Sequence, residues 1–223
     1  MRKAHVSFLA MMMLMAGVCH AADKIDSATQ KLRDEFGIAR LLFLKQVAKD
    51  AELDSSTRDA LVKVCDDTRD GLLAAVDQEK NQPSEEEDRK QTIADLAQKF
   101  SDDAQNAMQS DSKAPDAIKK QVARLGYELE LIRKGQMLDK MGDLDLSEEQ
   151  KSAIDGIVSE TKKKVKTSTA DAVMKDEQAM TALLDARKKI NEKLEDDQKT
   201  QWKKYVADHA NEKRTPAGFN ARS

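Results

Sequence analysis

The chain has 223 residues, 35% of them charged and 39% hydrophobic, with a net charge of −3. The 38 basic and 41 acidic side chains nearly balance, which argues against a nucleic-acid binder, because such a surface gathers positive charge. The few histidines (His5, His20 and His209) and cysteines (Cys19 and Cys65) leave little material for a metal centre or a catalytic triad.

Residues 1–21 read as an export signal. Arg2 and Lys3 form a basic start, residues 6–18 an uncharged and mostly apolar run, and Cys19-His20-Ala21 places small residues where a signal peptidase cuts. The run is too short to span a bilayer, and no later segment approaches the roughly 18 apolar residues a span needs. The expected location is therefore periplasmic or secreted after cleavage near Ala21, with no integral membrane span. Cys19 lacks the neighbours of a lipoprotein cysteine. Loss of the signal leaves Cys65 and His209 alone, so no disulfide can close within one chain. The remaining glycines are isolated, which excludes a phosphate-binding loop. No enzyme chemistry, no cofactor and no metal are expected.

Leu, Ile, Val and Phe supply only 39 of the 202 residues after Ala21. That is at the edge of what a chain needs to bury a core. Their spacing is helical, and strand-like alternation is absent. The expected fold is all-α, built from long amphipathic helices in an elongated, curved hairpin or bundle arrangement with an internal duplication.

In chain order, the first helix is expected over 24–49, with Ile25, Ala28, Leu32, Phe36, Ala39, Phe43 and Val47 on one stripe widened by Leu41, Leu42 and Leu44. The second should run over 54–79 behind an Asp54 cap, facing Leu61, Val64, Cys65, Leu72 and Val76 inward. Asn81-Gln82-Pro83 ends it. Ser84 with Glu87 forms a capping box for a third helix reaching Gln109, with a potential break at Phe100-Ser101-Asp102. Residues 110–114 form a polar linker. Pro115 suits the opening turn of a fourth helix over 116–141, closed by Gly142. A fifth helix starts at Ser147 and passes Val165. The last stretch, 177–208, carries Met180, Leu183, Leu184, Ile190, Leu194, Trp202 and Tyr205, with a bend or a continuing helix at Glu195. Residues 211–223, with Phe219, form a flexible tail.

Two blocks repeat at an offset of 93 to 94 residues. LDSSTRDALVKVCDDTR at 53–69 aligns with LSEEQKSAIDGIVSETK at 146–162, and KFSDD at 99–103 aligns with KLEDD at 193–197. Leu53 falls on Leu146, Cys65 on Val158, Thr68 on Thr161, and Met108 on Trp202. Two helical repeat units follow, over 22–115 and 116–210. At the second copy, Ser147 and Gln150 suit a reciprocal capping box, worth roughly 1 kcal/mol, with Leu146 pinning the incoming chain. The corresponding positions are Leu53 and Asp54 in the first copy and Leu194 and Gln198 at the second break. The acids Asp139, Asp143, Asp145, Glu148 and Glu149 lack calcium-loop spacing and read as caps. Cys65, aligned with Val158, reads as a small core residue.

A leucine, a capping hydroxyl and a glutamine in LSEEQ, echoed in LEDDQ, inside an exported, charged, all-helical chain, resemble the Leu-Thr-x-x-Gln motif of the Spy/CpxP family of periplasmic proteins. The resemblance covers about 40–208, and the first half is the more degenerate copy. It implies a curved long-helix fold acting as an ATP-independent chaperone in envelope stress. The activity would be reversible holding of unfolded or stressed envelope proteins on a mixed-charge helical surface. The alternative is a structural or regulatory module docking one envelope partner, such as a stress-sensor domain. The family's antiparallel dimer makes the expected state a homodimer or, through the duplication, a monomeric pseudo-dimer. The histidine-rich metal sites of some relatives have no counterpart here. Lys162, Lys163, Lys164, Lys188, Lys189 and Trp202 are the candidate client-binding residues, because long-range attraction captures a client that modest apolar burial then retains.

Overall fold

The computed structural model describes residues 37–81, 85–167 and 172–210. The signal segment, the first half of the expected first helix, Ser84 and the tail lie outside the described residues. The fold is all-α: the described residues form eight α-helices and one 3-10 turn, with no strand among them. They divide into two compact units, one running to Ile118 and one from Lys119.

The first unit stacks three helices in chain order. α1 (Ile38–Asp50) packs on α2 (Ser55–Asn81), and α2 packs on α3 (Glu86–Met108). α1 buries Ile38, Leu41, Phe43, Val47 and Ala48, so Ile38, absent from the expected stripe, is part of the core. Lys45 bridges to α2, its Nζ lying 2.6 and 2.7 Å from the two oxygens of Asp66. Both side chains are partly exposed, so this pair contributes no more than about 1 kcal/mol. α2 buries Leu61, Cys65, Thr68 and Leu72. Gly71 lets α3 approach: a Cβ there would stand 3.1 Å from Leu96 Cδ2. α3 answers with Ile93, Phe100, Ala104 and Met108. It runs unbroken through Phe100-Ser101-Asp102, where Phe100 and Ser101 are both buried. The residue before α3 is Glu85, which makes no side-chain cap bond.

At Asp54, the residue before α2, the backbone N–H makes a long-range contact. Asp54 donates its backbone N–H to Asp111 Oδ2 at 3.4 Å, and Asp111 Oδ1 accepts from the Lys113 N–H at 3.0 Å. Asp111 therefore ties the start of α2 to the connection between α3 and α4 (Ala114–Lys134).

α4 stops seven residues earlier than its apolar pattern suggests. Gly135 adopts φ +75, a conformation glycine enters without the cost a Cβ imposes. The Gly135 N–H reaches the Ile132 carbonyl at 3.1 Å and the Gln136 N–H the Leu131 carbonyl at 2.9 Å, the paired bonds of a Schellman cap. Gly135, not Gly142, closes the helix. The chain continues as a one-turn α5 (Met137–Lys140) and a 3-10 turn (Gly142–Leu144), burying Met137, Met141 and Leu144.

α6 (Glu148–Thr167) and α7 (Ala172–Lys193) form a helical hairpin, joined by Ile154, Val158 and Thr161 on one side and Met180, Leu183, Ala186 and Ile190 on the other. The last stretch is two helices rather than one. After Leu194 and Glu195 the chain restarts as α8 (Asp196–Ala210), which packs on the 3-10 turn. α8 buries Gln198, Trp202, Val206 and Ala210, a stripe one residue wide at four-residue spacing.

Candidate functional site

Two local motifs of the second unit meet in space. At the start of α6 the capping box forms in full: the Ser147 N–H donates to Gln150 Oε1 at 2.9 Å, and the Gln150 N–H donates to Ser147 Oγ at 3.1 Å. Glu148 and Glu149 occupy the first turn, where the helix dipole favours negative charge. At the start of α8, Gln198 bends back so that its Oε1 accepts from the Glu195 N–H at 2.9 Å.

The two glutamine amides also join each other. Gln150 Nε2 donates to Gln198 Oε1 at 2.9 Å and to the Lys193 carbonyl at 2.8 Å. Gln198 Nε2 donates to the Leu144 and Asp145 carbonyls, both at 3.3 Å, and to Gln150 Oε1 at 3.4 Å. One amide pair therefore holds the 3-10 turn, the start of α6, the end of α7 and the start of α8. Leu146 and Leu194, the leucines of the two motifs, are buried beside it.

The aligned stretch of the first unit has the same burial without the polar pair. Leu53 and Leu146 are both buried, as are Leu61 and Ile154, Cys65 and Val158, and Phe100 and Leu194. Thr68 Oγ1 donates to the Val64 carbonyl at 2.8 Å, and Thr161 Oγ1 donates to the Ile157 carbonyl at the same distance. Where the second unit has Gln150 and Gln198, however, the first has Thr57 and Ala104. Thr57 Oγ1 is buried without a hydrogen-bond partner among the described residues.

A second polar node lies between α4, α7 and α8. Glu128 is 5% exposed and accepts from Trp202 Nε1 at 2.8 Å and from Arg187 Nε at 2.6 Å. Trp202 is only 1% exposed, so the indole is an interior anchor and not a client-facing surface, which corrects the reading of it as a contact residue. Its ring stacks on Tyr205, and Tyr205 stacks on His209, with ring centroids 5.4 and 3.8 Å apart. His209 Nδ1 lies 2.8 Å from the Tyr205 carbonyl within the same helix. Nothing in the pattern of a mid-helix Glu128 signals that it turns inward; Arg187 and Trp202 are 59 and 74 residues away.

The candidate lysines separate into two groups. Lys162 is half-buried and its Nζ lies 3.5 Å from the Lys134 carbonyl, so it serves the end of α4. Lys163, Lys164, Lys188 and Lys189 are exposed. Lys164 pairs with Glu160 at 2.7 Å. The Lys164 hydrogen bond and charge, with the charges of Lys189 and Lys163 adding, hold the Glu160 carboxyl below its ordinary range. The hairpin thus gathers cations of α6 and α7 around one exposed carboxylate.

Cys65 is buried in α2, and burial, with the charge of Asp66 adding and that of Lys45 opposing, pushes its thiol up to about 12. Such a thiol is not an activated nucleophile. Among the described residues no group of three or more His, Cys, Asp or Glu side chains is placed to hold a metal ion, and no helix is long and apolar enough to cross a membrane. Comparison with family models, with curated proteins and with solved structures finds no match for this chain.

Proposed function

We propose that the chain is an exported, ATP-independent chaperone of the Spy/CpxP type, which holds unfolded or stressed envelope proteins on the mixed-charge faces of its helices. The observation that carries this reading is the exposed cation group of α6 and α7 around Glu160, set on an all-helical scaffold. Charge on such a face attracts a client over a distance near the Debye length, roughly 8 Å in physiological salt, without demanding one sequence. The motif positions support the reading in a second way: Ser147, Gln150 and Gln198 make a structural clasp, as a motif shared by a scaffold requires, rather than a reactive centre. The proposed activity needs no covalent chemistry and no cofactor. The corresponding burial of Leu53 and Leu146, and of Cys65 and Val158, favours two tandem copies of one helical unit.

The test is aggregation of two unrelated, chemically unfolded proteins, without ATP, with the purified chain at stoichiometric amounts. Suppression of both is expected, and it should weaken with added salt. A folded, helical sample that protects neither protein would replace general holding with docking of a single envelope partner.

A further inference from the structure

We propose that the break between α7 and α8 is a latch made by the Gln150–Gln198 amide pair, and that its opening lets two copies of this chain exchange α8. The residues at the break do not themselves stop a helix. Leu194, Glu195, Asp196 and Asp197 include no glycine and no proline. What interrupts the ladder is side-chain competition. In a continuous helix the Lys193 carbonyl would accept from the Asp197 N–H, and the Glu195 N–H would donate to the Asn191 carbonyl. Here Gln150 Nε2 takes the Lys193 carbonyl at 2.8 Å, Gln198 Oε1 takes the Glu195 N–H at 2.9 Å, and the Leu194 N–H takes the Asn191 carbonyl at 3.3 Å.

The same chain carries the alternative conformation. The aligned KFSDD segment, with Ala104 in the place of Gln198, runs straight through α3. The closed position of α8 also rests on few attachments. Its buried stripe is Gln198, Trp202, Val206 and Ala210, of which only tryptophan and valine bring large apolar area, and polar bonds to Gln150, Glu128 and the 3-10 turn supply the rest. Elements with little buried apolar surface open at low free energy.

Straightening the hinge restores the helix bonds of Lys193 and Glu195 while removing Trp202 from Glu128. The seat left behind fits one occupant closely: α8 of a second copy. The partner's Trp202 then meets Glu128, and the partner's Gln198 meets Gln150 and the Leu144 and Asp145 carbonyls. The contacts of α8 with Glu128, Gln150 and the 3-10 turn are remade between chains, and the Gln150–Lys193 and Gln198–Glu195 bonds give way to helix bonds, so exchange of this identical element is a low-cost route to a dimer. The balance is set by protein concentration.

Gln198→Ala removes the amide that intercepts the Glu195 N–H and should favour the exchanged dimer. Asp196→Pro places proline at the first helical position of α8, which tolerates it, and forbids a continuous helix, so it should favour the monomer. Light scattering across a concentration series reads the state, and Trp202, the only tryptophan, reads the seat. The expected result is a dimer dissociation constant about tenfold lower for Gln198→Ala than for the native chain, and a higher one for Asp196→Pro, with tryptophan emission that of a buried indole in both. Monomeric Gln198→Ala with a red-shifted, exposed indole would mean release without exchange and would overturn the proposal. Equal dissociation constants for both variants and the native chain would also overturn it, and Asp196→Pro keeps the test valid if Gln198→Ala fails to fold.

Discussion

Gln150 and Gln198, which stand 48 residues apart, hydrogen-bond through their side-chain amides at 2.9 Å, and each also holds a backbone group that a helix end leaves free. This pair links two break points that look independent along the chain. Removing the Gln198 amide strands backbone partners in a buried or part-buried place, where an unmade bond costs about 1–3 kcal/mol, whereas the backbone partners of Gln150 are exposed and can turn to water. Gln198→Ala should lower the unfolding free energy by that amount, and Gln150→Ala by less, about 0.5–1.5 kcal/mol. The double variant should lose clearly less than the sum of the two, with a coupling of about 0.5–3 kcal/mol. Denaturant unfolding followed by circular dichroism measures all three; strict additivity would show that the amides act separately.

The Glu128–Trp202 bond makes a second claim on stability that does not concern volume alone. Trp202→Phe keeps an aromatic ring but deletes the donor to Glu128 Oε1, leaving a buried carboxylate oxygen short of a partner. The expected cost is about 1–3 kcal/mol for the lost bond. Trp202→Ala adds a cavity and should cost about 3–5 kcal/mol. In a Glu128→Ala background the extra penalty for losing the indole N–H should shrink, and equal penalties in both backgrounds would remove Glu128 from the account.

Legibility in the sequence followed range. The Ser147–Gln150 box joins residues three apart, and the four amino acids concerned spell it out. The Gln150–Gln198 contact depends on how α7 returns along α6, which no local pattern encodes. The end of α4 was readable in part: Arg133-Lys134-Gly135 places basic residues in a last turn before a glycine, yet the apolar spacing through Met137 and Met141 argues for continuation, and both methionines are indeed buried. Trp202 was legible as an interior or surface aromatic but not which of the two, because its partner Glu128 looks like any other solvent-facing acid. Break or helix at Glu195 was undecidable from LEDDQ, since the aligned KFSDD stays helical and only long-range amides tell them apart.

Gly135 offers a test confined to one residue. An added Cβ would meet left-handed strain at φ +75 and would also stand 2.9 Å from Lys162 Nζ. The backbone part alone costs about 1–2 kcal/mol. Gly135→Ala should therefore lower the thermal midpoint measurably. Lys162→Ala in the same chain should recover little of it, because the lysine end can move and the backbone cannot. Full recovery would place the cost in the side-chain contact.

Cys65 links burial to alkaline stability. Its folded value of about 12 exceeds the ordinary value of 9.0, so between those values the folded chain holds a proton that the unfolded chain has released. The unfolded state then binds fewer protons, and stability falls as pH rises, by up to about 1.4 kcal/mol per unit from this group. Below pH 9 both states are protonated and the group has no effect. Cys65→Val, with the side chain that Val158 carries at the aligned buried position, should change stability near pH 7 by less than about 1.5 kcal/mol, while flattening the decline above pH 9. Urea unfolding of both proteins at pH 7, 9 and 10.5 measures the slope. Parallel alkaline slopes would show that other groups control it, whereas a shallower slope for the valine variant would assign it to the buried thiol. The native thiol should also resist alkylation at pH 8 until the chain unfolds, because the reactive thiolate is nearly absent in the folded state.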